Sequence, residues 1–170
     1  MKILGIDPGT SRIGYGLIET DGGLKLVRHG VIEPNRKSLP EKISRLSVYF
    51  RELLAESRPD LAAIEKLFFA KNRKTAMEVA HARGVLLSIL LENGVPIVEY
   101  APNEVKAQVA GYGLADKIGV AKMVKIILKI NELPGYDDAS DALAIAITAA
   151  SNLRLNSLKP GTHTDRGLTG

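Results

Sequence analysis

The chain has 170 residues, 45% of them hydrophobic, no cysteine and a formal net charge of +4, which fits one globular domain with its own core and removes disulfides, thiolate-zinc sites and cysteine nucleophiles. No apolar run reaches the roughly 18 residues of a membrane span and the N-terminus lacks a signal-peptide pattern, so the sequence predicts a cytoplasmic protein without membrane contact. A sequence pI near 9.3 favours a polyanionic partner, and any metal would have to be held by carboxylates or histidines.

Ile3, Leu4 and Ile6 form an apolar run that ends in Asp7 and breaks at Pro8-Gly9, the pattern of a buried strand followed by a tight turn. A carboxylate ending a core strand is costly to bury without a partner. Two readings are open for Asp7: it caps the turn through the N–H groups of Gly9 or Thr10, or it is a metal ligand facing a phosphate. Residues 13–19 predict a second strand, Asp21-Gly22-Gly23 a hairpin turn and residues 24–32 a third strand, together an antiparallel meander. Ser38 and Glu41 have capping-box spacing, and Ile43, Leu46, Phe50, Leu53 and Leu54 recur at helical intervals, so a helix of about four turns should end before Pro59.

Residues 61–64 are a short apolar run suited to a buried strand, and it too ends in a carboxylate, Glu65. Residues 72–92 carry a long helical pattern with small residues at Ala76, Ala80 and Gly84, closed by Asn93-Gly94. Residues 95–100 predict another strand, and Pro102 opens a helix to about Ala110. After the Gly111-Tyr112-Gly113 break, Asp116 is a good N-cap for a helix to about Ile130. Pro134-Gly135 reads as a turn, and from Asp138 the residues Ala142, Leu143, Ile145, Ala146, Ile147 and Ala149 predict a final apolar helix to about Leu155. No internal repeat is present, and residues 156–170 read as a polar, flexible tail behind a single domain over residues 1–155. A three-stranded antiparallel meander followed by alternating helices and strands indicates an α/β fold, a mixed sheet with helices on both faces.

If the strands ending in Asp7 and Glu65 are neighbours, the two carboxylates meet at the edge where open α/β sheets place their sites. Asp138 and Asp141, three apart at a helix start, share a face, and the helix dipole favours their ionised form. Four converging carboxylates repel one another unless cations neutralise them, and two Mg²⁺ ions would balance the charge. All-oxygen ligation suits Mg²⁺ or Mn²⁺, and two such ions support in-line hydrolysis of a phosphodiester. The plainer alternative for the helix pair is an N-cap, Asp137 or Asp138, with Asp141 interacting with the dipole. Phe68 and Phe69 are adjacent just past Glu65. Either both tuck under a helix, or one is left at the site mouth to stack on an unpaired base. Lys106 and Lys117 flank the glycine break and are either solvated or held for phosphate, and Lys117 opposes the helix dipole in a way that a phosphate would relieve. His29, His81 and His163 have no partner at metal-ligand spacing and are assigned no chemistry.

The segments GIDPG with Gly14-Tyr15-Gly16, AIEKLFFAKN (63–72), HARGV (81–85), VEYAPNEVK (98–106) and DDASDALAIAITAA (137–150) resemble the RuvC family of bacterial Holliday-junction endonucleases, in the family's order and over nearly the whole chain except the tail. The resemblance implies a ribonuclease-H-like fold and a homodimer that makes paired, symmetric, Mg²⁺-dependent nicks in four-way DNA junctions during recombination and repair. It maps the catalytic, metal-binding carboxylates onto Asp7, Glu65, Asp138 and Asp141, with Asp137 left out of the set. It implies Phe68 as the residue probing bases at the junction and Lys106 and Lys117 as DNA-binding. It also implies a short T-containing cleavage site and cooperation with the RuvA–RuvB branch-migration complex. Ile13 departs from the pattern, since family members often carry Thr before Gly-Tyr-Gly.

A homodimer also suits the task, because two strands of like polarity must be cut and one subunit holds one carboxylate set; the small-residue helix over 72–92 is the candidate interface. Two rivals are a phosphate-binding ATPase of the actin and sugar-kinase type, for which 170 residues are too few to enclose a nucleotide between two domains, and a related nuclease acting on RNA, which the carboxylates alone would not separate. A third, a junction binder without catalysis, is opposed by the retention of all four carboxylates.

Overall fold

The computed structural model describes residues 1–9, 11–35, 38–67, 73–133 and 137–158, with backbone alone for 73–75 and 156–158. Strands β1 (Lys2–Pro8), β2 (Ile13–Glu19) and β3 (Lys25–Ile32) form the antiparallel meander. It turns between β2 and β3 where Gly22 and Gly23 hold φ of 65° and 127°, a region L side chains rarely adopt. Strand β4 (Leu61–Glu65) joins β1 in parallel and β5 (Ile97–Tyr100) joins β4 in parallel, giving the mixed order β3-β2-β1-β4-β5. β5 begins two residues later than the apolar run at Val95 suggests. Pro96 has no N–H to give to a ladder, and only its carbonyl takes part, accepting from the Ala62 N–H at 2.9 Å.

Helix α1 (Leu39–Ser57) starts as its sequence indicates: Ser38 is the N-cap and its hydroxyl accepts from the Glu41 N–H at 3.4 Å. Leu46, Phe50, Leu53 and Leu54 are buried, whereas Ile43, on the same stripe, is only half-buried. Helix α2 (Arg73–Glu92) follows β4. After β5 come α3 (Pro102–Ala110), closed by Gly111 at φ 86°, and α4 (Lys117–Leu128), which stops two residues short of Ile130 because Lys129 turns left-handed at φ 55°. The Asp116 carboxylate caps α4, accepting from the Gly119 N–H at 2.7 Å. Helix α5 (Asp137–Leu158) begins one residue earlier and runs three residues further than the expected ends. The Pro134-Gly135 turn and the tail from residue 159 lie outside the described residues.

Strand alternation divides the core in two. Leu4, Ile6, Ala62 and Ile64 pack under α1 and α2, and Ile3, Ile18, Leu61 and Ala63 pack under α3, α4 and α5. Helices therefore cover both faces of the sheet. In α5, Ala139, Ala142 to Ile147, Ala149 and Ala150 are all buried, as expected of a helix that is apolar nearly all round. Among the described residues, no helix is long and apolar enough to cross a membrane.

Candidate active site

Ile6 of β1 lies opposite Ile64 of the parallel β4, so the next residue of each, Asp7 and Glu65, emerges on the face that α5 covers. On that face the sheet is paved with glycine. Gly5 pairs with Gly16 and Asp7 with Gly14 across the β1–β2 ladder. A Cβ on Gly14 would lie 2.0 Å from the Asp138 carbonyl oxygen, one on Gly5 1.9 Å from the Ala142 carbonyl oxygen and one on Gly16 2.6 Å from the Leu143 side chain. The first turns of α5 thus rest on bare backbone, which brings Asp138 and Asp141 down to Asp7. Sequence reasoning noted Gly14 and Gly16 but gave them no role. The signal was their two-residue spacing, which places both on one face of a strand.

The electrostatics follow from this crowding. Burial first, then the charges of Glu65, Asp141 and Asp138, push the Asp7 carboxyl up to about 8, against the pull of Lys117. Burial and Asp141 likewise raise Glu65, opposed by a hydrogen bond with Asp7 and by Lys117 and Lys106. The groups acting on Asp7 are side chains from β4, α4 and α5; Thr10, one of the two donors a turn cap would use, lies outside the described residues. Asp137 and Asp138 both lie in the first turn of α5, and the three residues before it lie outside the described ones.

Two cations lean on the aspartates of α5. Lys117 Nζ donates to Asp141 Oδ2 at 3.0 Å, which holds the ammonium pKa above its usual value. The conflict of Lys117 with its own helix dipole is therefore met by Asp141. Arg12 Nε lies 3.6 Å from Asp138 and 3.9 Å from Glu33, a contact the sequence gave no reason to expect. Asp7, Glu65, Asp141, Lys106 and Lys117 line one cleft of about 290 Å³, floored by Val105, Val120, Ala144 and Ile145. Asp138 lies near enough to raise Asp7. Phe68 and Phe69 lie outside the described residues, as does His163. His29 in β3 and His81 in α2 line no part of this cleft.

Among the described residues no three His, Asp or Glu side chains close on a common point tightly enough to form a ready cation cage. The donor set nevertheless fits a hard divalent cation: it is all carboxylate oxygen, and its mutual repulsion is met by the Lys117 and Arg12 side chains, which a divalent ion could replace.

A family model described as crossover junction endodeoxyribonuclease RuvC matches residues 3–149. The crossover junction endodeoxyribonuclease RuvC of Syntrophomonas wolfei is 41% identical over 169 residues, 98% of each chain. That of Chloroflexus aggregans is 47% identical over 152 residues, 88% of this chain and 93% of the relative. Among solved structures, Thermus thermophilus RuvC in complex with a Holliday junction substrate superposes with a TM-score of 0.86 at 35% identity, over 92% of this chain and 97% of that one. The yeast mitochondrial Holliday junction resolvase Ydc2 shares the fold, with a TM-score of 0.68 at 16% identity over 90% of this chain and 80% of that one.

Proposed function

This chain belongs to the RuvC family of crossover junction endodeoxyribonucleases, and we propose that it resolves Holliday junctions in recombination and repair as a homodimer that nicks two strands of like polarity. The observation that carries the reading is the cluster around Asp7, a carboxyl pushed up to about 8 by burial and by three further carboxylates. A fold has little reason to keep such repulsion unless cations are to be bound there.

Asp7, Glu65, Asp138 and Asp141 would hold Mg²⁺, two ions per site, with Mn²⁺ able to substitute. When bound, such ions activate a water and stabilise the leaving oxygen of a phosphodiester. The chain's own groups do the rest. With a cation in place Asp7 and Glu65 would both serve as acceptors, any proton on Asp7 passing to solvent and the hydrogen bond between the two being given up. Lys117 releases Asp141, and its ammonium, with that of Lys106 across the cleft, takes phosphate oxygens and fixes the strand in register. The apolar floor of Val105, Val120 and Ile145 limits water beneath the cleft. Phe68, two residues beyond the Lys66 that follows β4, stacks on a base unpaired at the crossover.

The second active site comes from the partner subunit, related by a two-fold axis as the two cut strands are. We assign the interface to α2, where a Cβ on Gly84 would meet nothing within 4 Å, leaving room for close approach. Residues 1–155 form the nuclease domain, and the enzyme acts in the cytoplasm on junctions presented by the RuvA–RuvB complex.

The test is cleavage of a synthetic four-way junction with linear duplex and an RNA–DNA hybrid as competitors, with and without Mg²⁺. Preferential, Mg²⁺-dependent cutting of the junction is expected. Preferential cutting of the hybrid would overturn the substrate assignment.

A further inference from the structure

The outward face of α4 has a composition that core packing does not require. Val120, Val124 and Leu128 face the core, yet Ile118 is 79% exposed, Ile126 is 57% exposed and Leu114, in the turn just before the helix, is 94% exposed. Single apolar residues on a surface need no explanation. Here Ile118 and Ile126 lie on the outward side of the helix, interleaved with Lys122, Lys125 and Lys129, and Leu114 sits in the turn that leads into it. Between Lys117 and Ile130 there are four lysines and no acidic residue. Among the described residues, Lys122, Lys125 and Lys129 take part in no ion pair.

The face belongs to the helix whose inner side lines the candidate active site. Lys117 and Val120, from the first turn of the same helix, line the carboxylate cleft, and Leu114 and Ile118 flank Lys117 in sequence. From Ile118 to Lys129 the face extends about 16 Å, at 1.5 Å per residue, or about five base pairs at 3.4 Å each.

We propose that the outer face of α4 is a second DNA-contact surface, on which a duplex arm leaving the cleft is held by Lys122, Lys125 and Lys129 against its phosphates and by Leu114 and Ile118 against the sugars and base edges of the minor groove. This rests on the junction-nuclease reading and deepens it: the cleft reads the strand to be cut, and α4 fixes the direction of the arm. Unpaired lysines along a helix supply the salt-sensitive, sequence-independent share of affinity, and exposed aliphatic side chains beside them are the kind that wedge into a minor groove.

The experiment compares junction binding by three proteins in an Asp7→Asn background, so that binding is read without cutting: no further change, Lys122→Ala/Lys125→Ala/Lys129→Asn, and Leu114→Ser/Ile118→Ser. Asn at position 129 tolerates the left-handed backbone there. Loss of three phosphate contacts should flatten the plot of log K against log salt by about 2–3, at about 0.9 per contact. It should weaken binding at least 10-fold at low salt. The aliphatic variant should bind several-fold more weakly with its salt slope unchanged, and all three should melt alike.

An unchanged slope and affinity in the lysine variant, beside an otherwise wild-type chain that binds and cuts junctions, would overturn this proposal alone. Loss of binding to phosphatidylserine vesicles with junction binding intact would overturn it in favour of a lipid surface. A wild-type chain that neither binds nor cuts any junction would overturn the nuclease reading beneath it.

Discussion

Gly14→Ala tests how the carboxylates are assembled. The added methyl would sit 2.0 Å from the Asp138 carbonyl oxygen and 2.5 Å from its carbonyl carbon, and a Cβ essentially never lies within 3.0 Å of another atom, so helix and strand must part by at least 3.0 − 2.0 = 1.0 Å. The obstacle is backbone on both sides, with no side chain free to swing away. Overpacking of this kind costs about 1–3 kcal/mol, which at about 2–4 °C per kcal/mol lowers the melting temperature by about 2–12 °C and leaves a folded protein. Catalysis should suffer far more, since a misplacement of about 1 Å in a positioned group costs about 100-fold.

Single-turnover cleavage of a four-way junction should therefore slow about 100-fold in Gly14→Ala, with junction affinity within a few-fold of wild type and a higher Mg²⁺ requirement. Gly16→Ala, which meets the Leu143 side chain two residues farther along, should retain more activity at a similar loss of stability. A folded Gly14→Ala protein that cuts at the wild-type rate with unchanged Mg²⁺ dependence would refute the view that the glycine floor sets the metal-site geometry.

Three further outcomes are expected. Asp7 is raised from 3.8 to about 8 in the folded protein, so the unfolded chain loses this proton first as pH rises. The metal-free protein should lose stability from about pH 4 to pH 8 on this account, and thermal melts of Asp7→Asn should lack that decline and show a higher midpoint at pH 8, whereas Mg²⁺ should stabilise wild type there and leave Asp7→Asn unmoved. Lys106→Met should weaken binding evenly across junction sequences and flatten the salt slope by about 0.9; a sequence-dependent loss measured by fluorescence anisotropy would contradict a phosphate role. Gly84→Leu should shift the oligomer toward monomer in analytical ultracentrifugation, and an unaltered dimer would remove α2 from the interface.

Much of the fold could be read locally. The Ser38 cap, the Gly22-Gly23 turn and the apolar stripe of α1 are decided by residues a few positions apart, and each lies where its own chemistry places it. The strand-end positions of Asp7 and Glu65 were legible for the same reason. What brings them together was not, because the parallel pairing of Ile6 with Ile64 joins segments 58 residues apart with no local mark of register. The depth of α5 was hidden too. Gly5, Gly14 and Gly16 look like ordinary strand glycines until Ala142, Leu143 and Asp138 are found above them. Arg12 beside Asp138 and Lys117 beside Asp141 are contacts between distant segments, and nothing in a basic residue's neighbours in sequence names its counter-charge.

Whether this carboxylate cluster cuts junction strands is decided by comparing wild type with Asp7→Asn on one junction labelled in turn on each of its four strands. Wild type should give paired nicks at symmetric positions in two strands of like polarity, dependent on Mg²⁺ or Mn²⁺, and abolished in Asp7→Asn while junction binding persists. Nicks of the same rate and position in Asp7→Asn, or cutting that needs no divalent ion, would contradict that expectation.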